Sequence, residues 1–279
     1  MLKVGDIVTR KSYGGDIYFK VKNIDWFGNI DIVGVDYRIE ADAPMNDLIP
    51  VDEFTIYRNR KTAMEQIDEK INEINKNKET EQKKSYEPSE HMIKKTKVLH
   101  IDGDKDYLKI CLKYYELLGL EAIGEQVKEQ EQPKMIIELI KKYTPDIVVI
   151  TGHDALSKGA EDLNEIASYR SSKYFVETVK KAREYEPDMD KLIIFAGACQ
   201  SHYEALIEAG ANYASAPERV LIHAVDPVLI SERIANTPID RILKVDEALM
   251  FTFTGKQGLG GFETRGKGRK GSPKGKYKS

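Results

Sequence analysis

Two short runs carry the side chains best suited to covalent chemistry. Thr151-Gly152-His153-Asp154 follows the apolar run Ile147–Ile150, and Ala196-Gly197-Ala198-Cys199-Gln200 follows the apolar run Leu192–Phe195. A thiol is mostly protonated at neutral pH, and a nearby imidazolium or helix N-terminus raises its thiolate fraction. A thiolate nucleophile with a histidine acid and base is the minimum for acyl transfer from a peptide bond. This pairing makes Cys199 the candidate nucleophile and His153 the candidate general acid and base. Backbone amides of Gly152, Asp154 and Cys199 are candidate donors to the oxyanion, aided by a helix expected to begin directly after Cys199. His202 competes with His153, but it would share one helical turn with Cys199 and so reach a leaving group less easily. Cys111, on the apolar face of a predicted helix, is read as an inert packing residue. Asp102, Asp104 and Asp226 end strand-like runs and are candidates for binding a basic substrate side chain. Asp102 and Asp104 could equally cap the helix that follows them. No HxH or CxxC spacing suggests a metal site, and no cofactor is expected.

These residues need elements that bring them to one edge. Residues 97–255 alternate between strand and helix patterns. Val98–Ile101, Ala122-Ile123, Ile147–Ile150 and Leu192–Phe195 read as strands, and Lys105–Leu118, Lys134–Tyr143, Ser172–Tyr185 and Gln200–Glu208 as helices. This alternation predicts a mostly parallel, doubly wound α/β sheet, whose site lies beyond the C-terminal ends of its strands. Residues 1–58 differ. Phe19 and Val21 alternate with Lys20 and Lys22, Ile30 and Ile32 repeat the pattern, and Gly14-Gly15 and Trp26-Phe27-Gly28-Asn29 suggest turns. A small SH3-like β-barrel is expected there. In residues 59–96, Met64, Ile67, Ile71 and Ile74 fall at helical spacing, and a solvated linker is expected from Asn75 to Ser89.

Composition narrows the class. The chain has 279 residues, two cysteines and a net charge of −3. Two cysteines cannot form a disulfide framework, which favours a reducing compartment. No apolar run is long enough to span a membrane, and the N-terminus does not read as a signal peptide. The net charge conceals an asymmetry: residues 256–279 carry eight Lys/Arg, one Glu and seven glycines. That composition predicts a disordered basic tail on an acidic body. With few aromatics to serve as stacking platforms, Tyr277 being its only tyrosine, the tail is read as a protein-binding or surface-binding segment, with nucleic acid unlikely.

Three resemblances follow from these residues. The spacing of an apolar strand with Gly-His and an apolar strand with Gly-Ala-Cys resembles the caspase-like cysteine peptidases of clan CD. There a glycine usually follows the histidine and helps form the oxyanion hole; Asp154 stands here instead. Val98–Asp104 and Pro145–Ile150 are similar to two-component receivers, but Thr151 stands where their phosphoacceptor aspartate would be, so only the flavodoxin-like layout carries over. Over nearly the full length the chain resembles the YabG family of sporulation-specific proteases. The segments are Val4–Asp16, Val98–Asp104, Val149–Asp154 and Phe195–His202. The resemblance implies an arginine-preferring protease of the mother cell, associated with the spore coat, that trims spore-coat and cortex-related proteins, and its catalytic roles carry over to His153 and Cys199. Self-processing at Arg58, Arg60, Arg265 or Arg269 is one expectation; a non-enzymatic coat scaffold on a receiver-like domain is the alternative function.

Overall fold

The computed structural model describes residues 2–26, 28–84, 92–157, 159–160 and 162–271. Phe27 of the expected turn, residues 85–91, which include the end of the expected linker, and residues 272–279 of the tail lie outside them. Five strands open the chain: β1 (Ile7–Arg10), β2 (Phe19–Ile24), β3 (Asn29–Gly34), β4 (Glu40–Pro44) and β5 (Leu48–Pro50). They form an antiparallel sheet in the order β4-β3-β2-β1-β5. The period-2 pattern places Phe19, Val21, Ile30 and Ile32 in its core and leaves Lys20 and Lys22 outside. Its ladders form one row with β4 and β5 at the two ends.

A long helix follows, α1 (Glu53–Lys84). It runs well past Asn75, where the sequence suggested a linker. Its buried Ile67, Ile71 and Ile74 face the core. Polar contacts hold its second half: Asn75 Nδ2 donates to the Leu117 carbonyl at 3.2 Å, and Lys78 pairs with Glu232 at 2.9 Å. Partners elsewhere in the fold thus order a segment too polar to order itself.

The rest of the chain contains β6 (Met92–Lys94), β7 (Lys97–Asp102), α2 (Lys105–Leu117), β8 (Glu121–Gln126), α3 (Gln132–Tyr143), β9 (Ile147–Thr151), α4 (Ser172–Tyr185), β10 (Ile193–Ala196), α5 (Tyr203–Glu208), β11 (Tyr213–Ser215), α6 (Asp226–Asn236), β12 (Ile242–Leu243), α7 (Val245–Leu249), β13 (Leu259–Gly261), β14 (Thr264–Arg265) and β15 (Arg269–Gly271). The main sheet has the order β13-β11-β10-β9-β7-β8. All its pairings are parallel except β11 with β13. Alternate residues of each central strand feed two cores. Ile147 and Val149 pack with α1, α2 and α6, whereas Val148 and Ile150 pack with α3, α4 and α5. Burial on both faces explains the unbroken apolar runs.

The basic tail is not disordered through residue 271. β13 closes the main sheet, β14 pairs with β12, and β15 pairs with β6. Its glycines allow close packing: a Cβ on Gly261 would lie 2.2 Å from the Asn212 carbonyl, and one on Gly266 2.2 Å from that of Thr237. Glycine here marks backbone pressed against backbone, a role that composition alone cannot separate from flexibility. Among the described residues, no helix is long and apolar enough to cross a membrane.

Candidate functional site

Strand register brings three of the predicted residues to one edge. Asp102 pairs with Thr151 at the ends of β7 and β9, and Ile150 with Ala196 on β9 and β10. His153 and Cys199 therefore leave neighbouring parallel strands two and three residues beyond their ends. The turn after β10 depends on Gly197, whose φ is +111° and where a Cβ would meet Ser215 Oγ at 2.5 Å. Helix α5 starts at Tyr203, not directly after Cys199, so the expected helix N-terminus does not face the sulfur.

Cys199 is fully buried. Its sulfur accepts the Ile222 N–H at 3.3 Å. Burial pushes the thiol up to about 12, against the opposing pull of the Ile222 amide and then of the Arg38 charge. In this arrangement it is a neutral thiol. His153 is 5% exposed, and its Nε2 has no hydrogen-bond partner among the described residues. That nitrogen lies 3.7 Å from Asp104 Oδ2, and the ring packs on Tyr107 with centroids 5.6 Å apart. The His153 N–H donates to Glu129 Oε1 at 2.8 Å. Gly103 and Gly152 make room for that carboxylate, since a Cβ on either would sit within 2.3 Å of Glu129 Oε1.

The three predicted acidic positions separate. Asp104 caps α2, accepting from Asp106 N at 2.7 Å and Tyr107 N at 3.0 Å. Asp226 is buried and accepts the Phe253 N–H at 2.7 Å and the Thr254 hydroxyl. Burial raises its carboxyl to about 6. These contacts fasten the 252–254 loop to Asp226. Asp102, also fully buried, is paired with the Arg38 guanidinium through Nη1. Burial alone would raise the Asp102 carboxyl, but Arg38 and then His100 hold it below the usual carboxylate range.

Asp154, whose backbone amide was expected at the oxyanion, is fully buried. Its carboxylate gathers Ala155 N, Ser171 N, Ser172 Oγ and Ser201 Oγ at 2.5–2.9 Å. It ties the loop after β9 to α4 and to the turn after Cys199, and burial raises it to about 6. Its backbone forms a parallel bridge with Ile39. His202 caps α5 through Nδ1 and bonds the Asn164 carbonyl through Nε2 at 2.8 Å, so both ring nitrogens are engaged. Cys111 is buried on α2, with its sulfur 3.4 Å from Arg38 Nη2.

The sequence reading missed Arg38, Tyr107 and Glu129. Arg38 lies in the hairpin Val35–Ile39 between β3 and β4, far in sequence from the parallel sheet, and no local pattern marks it for burial. Arg58 and Arg60 lie within α1, Arg265 in β14 and Arg269 in β15, so all four expected self-processing points sit in regular structure. Among the described residues, no group of three or more His, Cys, Asp or Glu could hold a metal ion.

Comparison with known proteins gives consistent results. The family model described as YabG peptidase U57 matches residues 3–273. The chain is 41% identical over 289 residues to the Sporulation-specific protease YabG of Bacillus subtilis (strain 168), with 99% of each chain covered. No solved structure matches.

Proposed function

The chain belongs to the YabG peptidase family, and from that premise we propose that this sporulation protease is a cysteine endopeptidase cutting after arginine. The observation that carries this reading is the departure of His153 and Cys199 from adjacent parallel strands at the same edge. In this mechanism His153 takes the thiol proton and the Cys199 sulfur attacks the scissile carbonyl carbon. Backbone amides of the loops after β9 and β10 stabilise the oxyanion. The imidazolium, with the Asp104 carboxylate nearby, returns its proton to the leaving amine. His153 then activates water, which releases the acyl group and restores the thiol. Its substrates in this reading are spore-coat and cortex-related proteins of the mother cell, and an arginine side chain enters beside Cys199.

The test compares the native chain with Cys199→Ala and His153→Ala on an arginyl peptide library, with cut sites mapped by mass spectrometry. Loss of the nucleophile is expected to lower turnover by at least about 10³-fold. Cleavage by the Cys199→Ala chain at the native rate overturns the assignment. The complete burial of Cys199 favours the second reading, a non-enzymatic coat scaffold. That reading requires no arginyl peptide cleavage even when the site is uncovered.

A further inference from the structure

The cover over Cys199 is itself informative. We propose that the β3–β4 hairpin is a built-in occupant of the substrate groove: Arg38 fills the place that a substrate arginine takes, and Asp102 is the residue that recognises it. This deepens the reading of Cys199 as nucleophile and rests on it.

Four observations carry the proposal. Arg38 is fully buried, yet it comes from the N-terminal sheet and reaches the strand-end carboxylate of the parallel sheet. The hairpin tip is held by backbone on either side of Arg38. Tyr37 bridges His223, in the segment before α6, and Ile39 bridges Asp154, in the loop after β9. Arg38 stands at the apex of a tight turn in which the Ile39 N–H donates to the Tyr37 carbonyl at 2.8 Å, and its side chain reaches Asp102. Backbone pairing beside a side-chain pocket is how protein grooves commonly hold a bound segment.

The fit also falls short of a purely structural arginine. Among the described residues, Nη1 meets Asp102, Nη2 has only the Cys111 sulfur and the Ala224 carbonyl, each at 3.4 Å, and Nε has no partner. Buried arginines that serve only the fold normally have their donors satisfied. Finally, a cleft of about 390 Å³ lined by Ile39, Ala155 and Gln200 opens where the hairpin leaves the site, giving room for residues that follow a bound arginine. The Tyr107 hydroxyl, 2.8 Å from both the Gly34 and Tyr37 carbonyls, fastens the hairpin in place. An internal occupant lowers the apparent affinity for substrate by the fraction of molecules whose groove is open.

The test reads binding and needs no turnover. The probe is Nα-acetyl-arginine amide, with Nα-acetyl-alanine amide as control, in a Cys199→Ala background. Adding Arg38→Ala should make melting temperature rise with arginine-amide concentration, and further addition of Asp102→Asn should abolish the rise. No rise, or an equal rise with Asp102→Asn or with the alanine amide, overturns the proposal. Should Arg38→Ala fail to fold, Tyr107→Phe keeps Arg38 and weakens its fastening. There the arginine amide should speed hydrogen exchange at residues 35–40 about tenfold over the alanine amide; equal exchange with the two amides overturns the proposal. Native-rate cleavage by Cys199→Ala would instead overturn the nucleophile assignment, without altering these binding signals.

Discussion

The two sheets of this molecule treat charge in opposite ways. The antiparallel sheet keeps its interior apolar, with Val8, Phe19, Val21, Ile30 and Ile32 buried. The C-terminal edge of the parallel sheet gathers buried polar groups instead: His100, Asp102, His153, Asp154 and Asp226. Among the described residues, the one fully buried charged side chain that the N-terminal sheet and its hairpins contribute, Arg38, goes into the other sheet's edge. The first sheet holds itself together by apolar area, and its hairpin docks on the second by charge and backbone pairing. Apolar contacts tolerate small changes in shape, whereas a buried ion pair fails sharply when one partner is removed.

The largest expected effect tests that contrast directly. Arg38→Ala strands the Asp102 carboxylate and should cost about 3–5 kcal/mol. The double variant Arg38→Met/Asp102→Leu should recover most of that loss in urea unfolding. Full loss in the double variant would show that shape, not charge, holds the hairpin.

Next comes the pH response of the polar edge. Burial, then Lys70 and Arg38, lower His223 to about 4. A depressed histidine leaves the unfolded chain binding the extra proton between about pH 4 and 6.5, so stability rises with pH across that window. The raised carboxyls of Asp154 and Asp226 act in the opposite sense. Their native forms hold protons up to about pH 6, so they lower stability as pH rises from about 4 to 6. His223→Phe keeps a ring against Phe253 and removes the rising contribution. It should cut the loss of stability on going from pH 7 to 4.5 by up to about 3 kcal/mol. Unchanged urea midpoints relative to the native chain would contradict it.

Two smaller effects sharpen the comparison. Ile32→Val, within the apolar sheet, should cost about 0.5–1.5 kcal/mol and leave alkylation of Cys199 as slow as in the native chain. Faster alkylation would mean that the hairpin depends on the sheet core. Asp104→Ala removes the cap of α2 and should cost about 1 kcal/mol by thermal unfolding.

Legibility followed the range of the forces involved. The double-faced apolar runs of β7, β9 and β10 were readable because burial on both faces leaves a local mark. Helix α1 beyond Asn75 was not, because Leu117 and Glu232 hold it from elsewhere. The glycines of β13 and of the 266–268 turn read as flexibility, although they fit against β11 and the Thr237 backbone. Asp102 and Asp104 looked alike, two residues apart after one strand. Only their partners, a distant guanidinium and two helix amides, set them apart.

The sequence by itself determined that His153, Cys199 and Asp102 share one edge. In a parallel sheet every strand ends on the same side, so strand period and direction settle that point locally. Tertiary structure alone decided that Arg38 would fill the space beside them. Burying a guanidinium depends on a carboxylate 64 residues further along the chain, and no local pattern of residues records such a pairing.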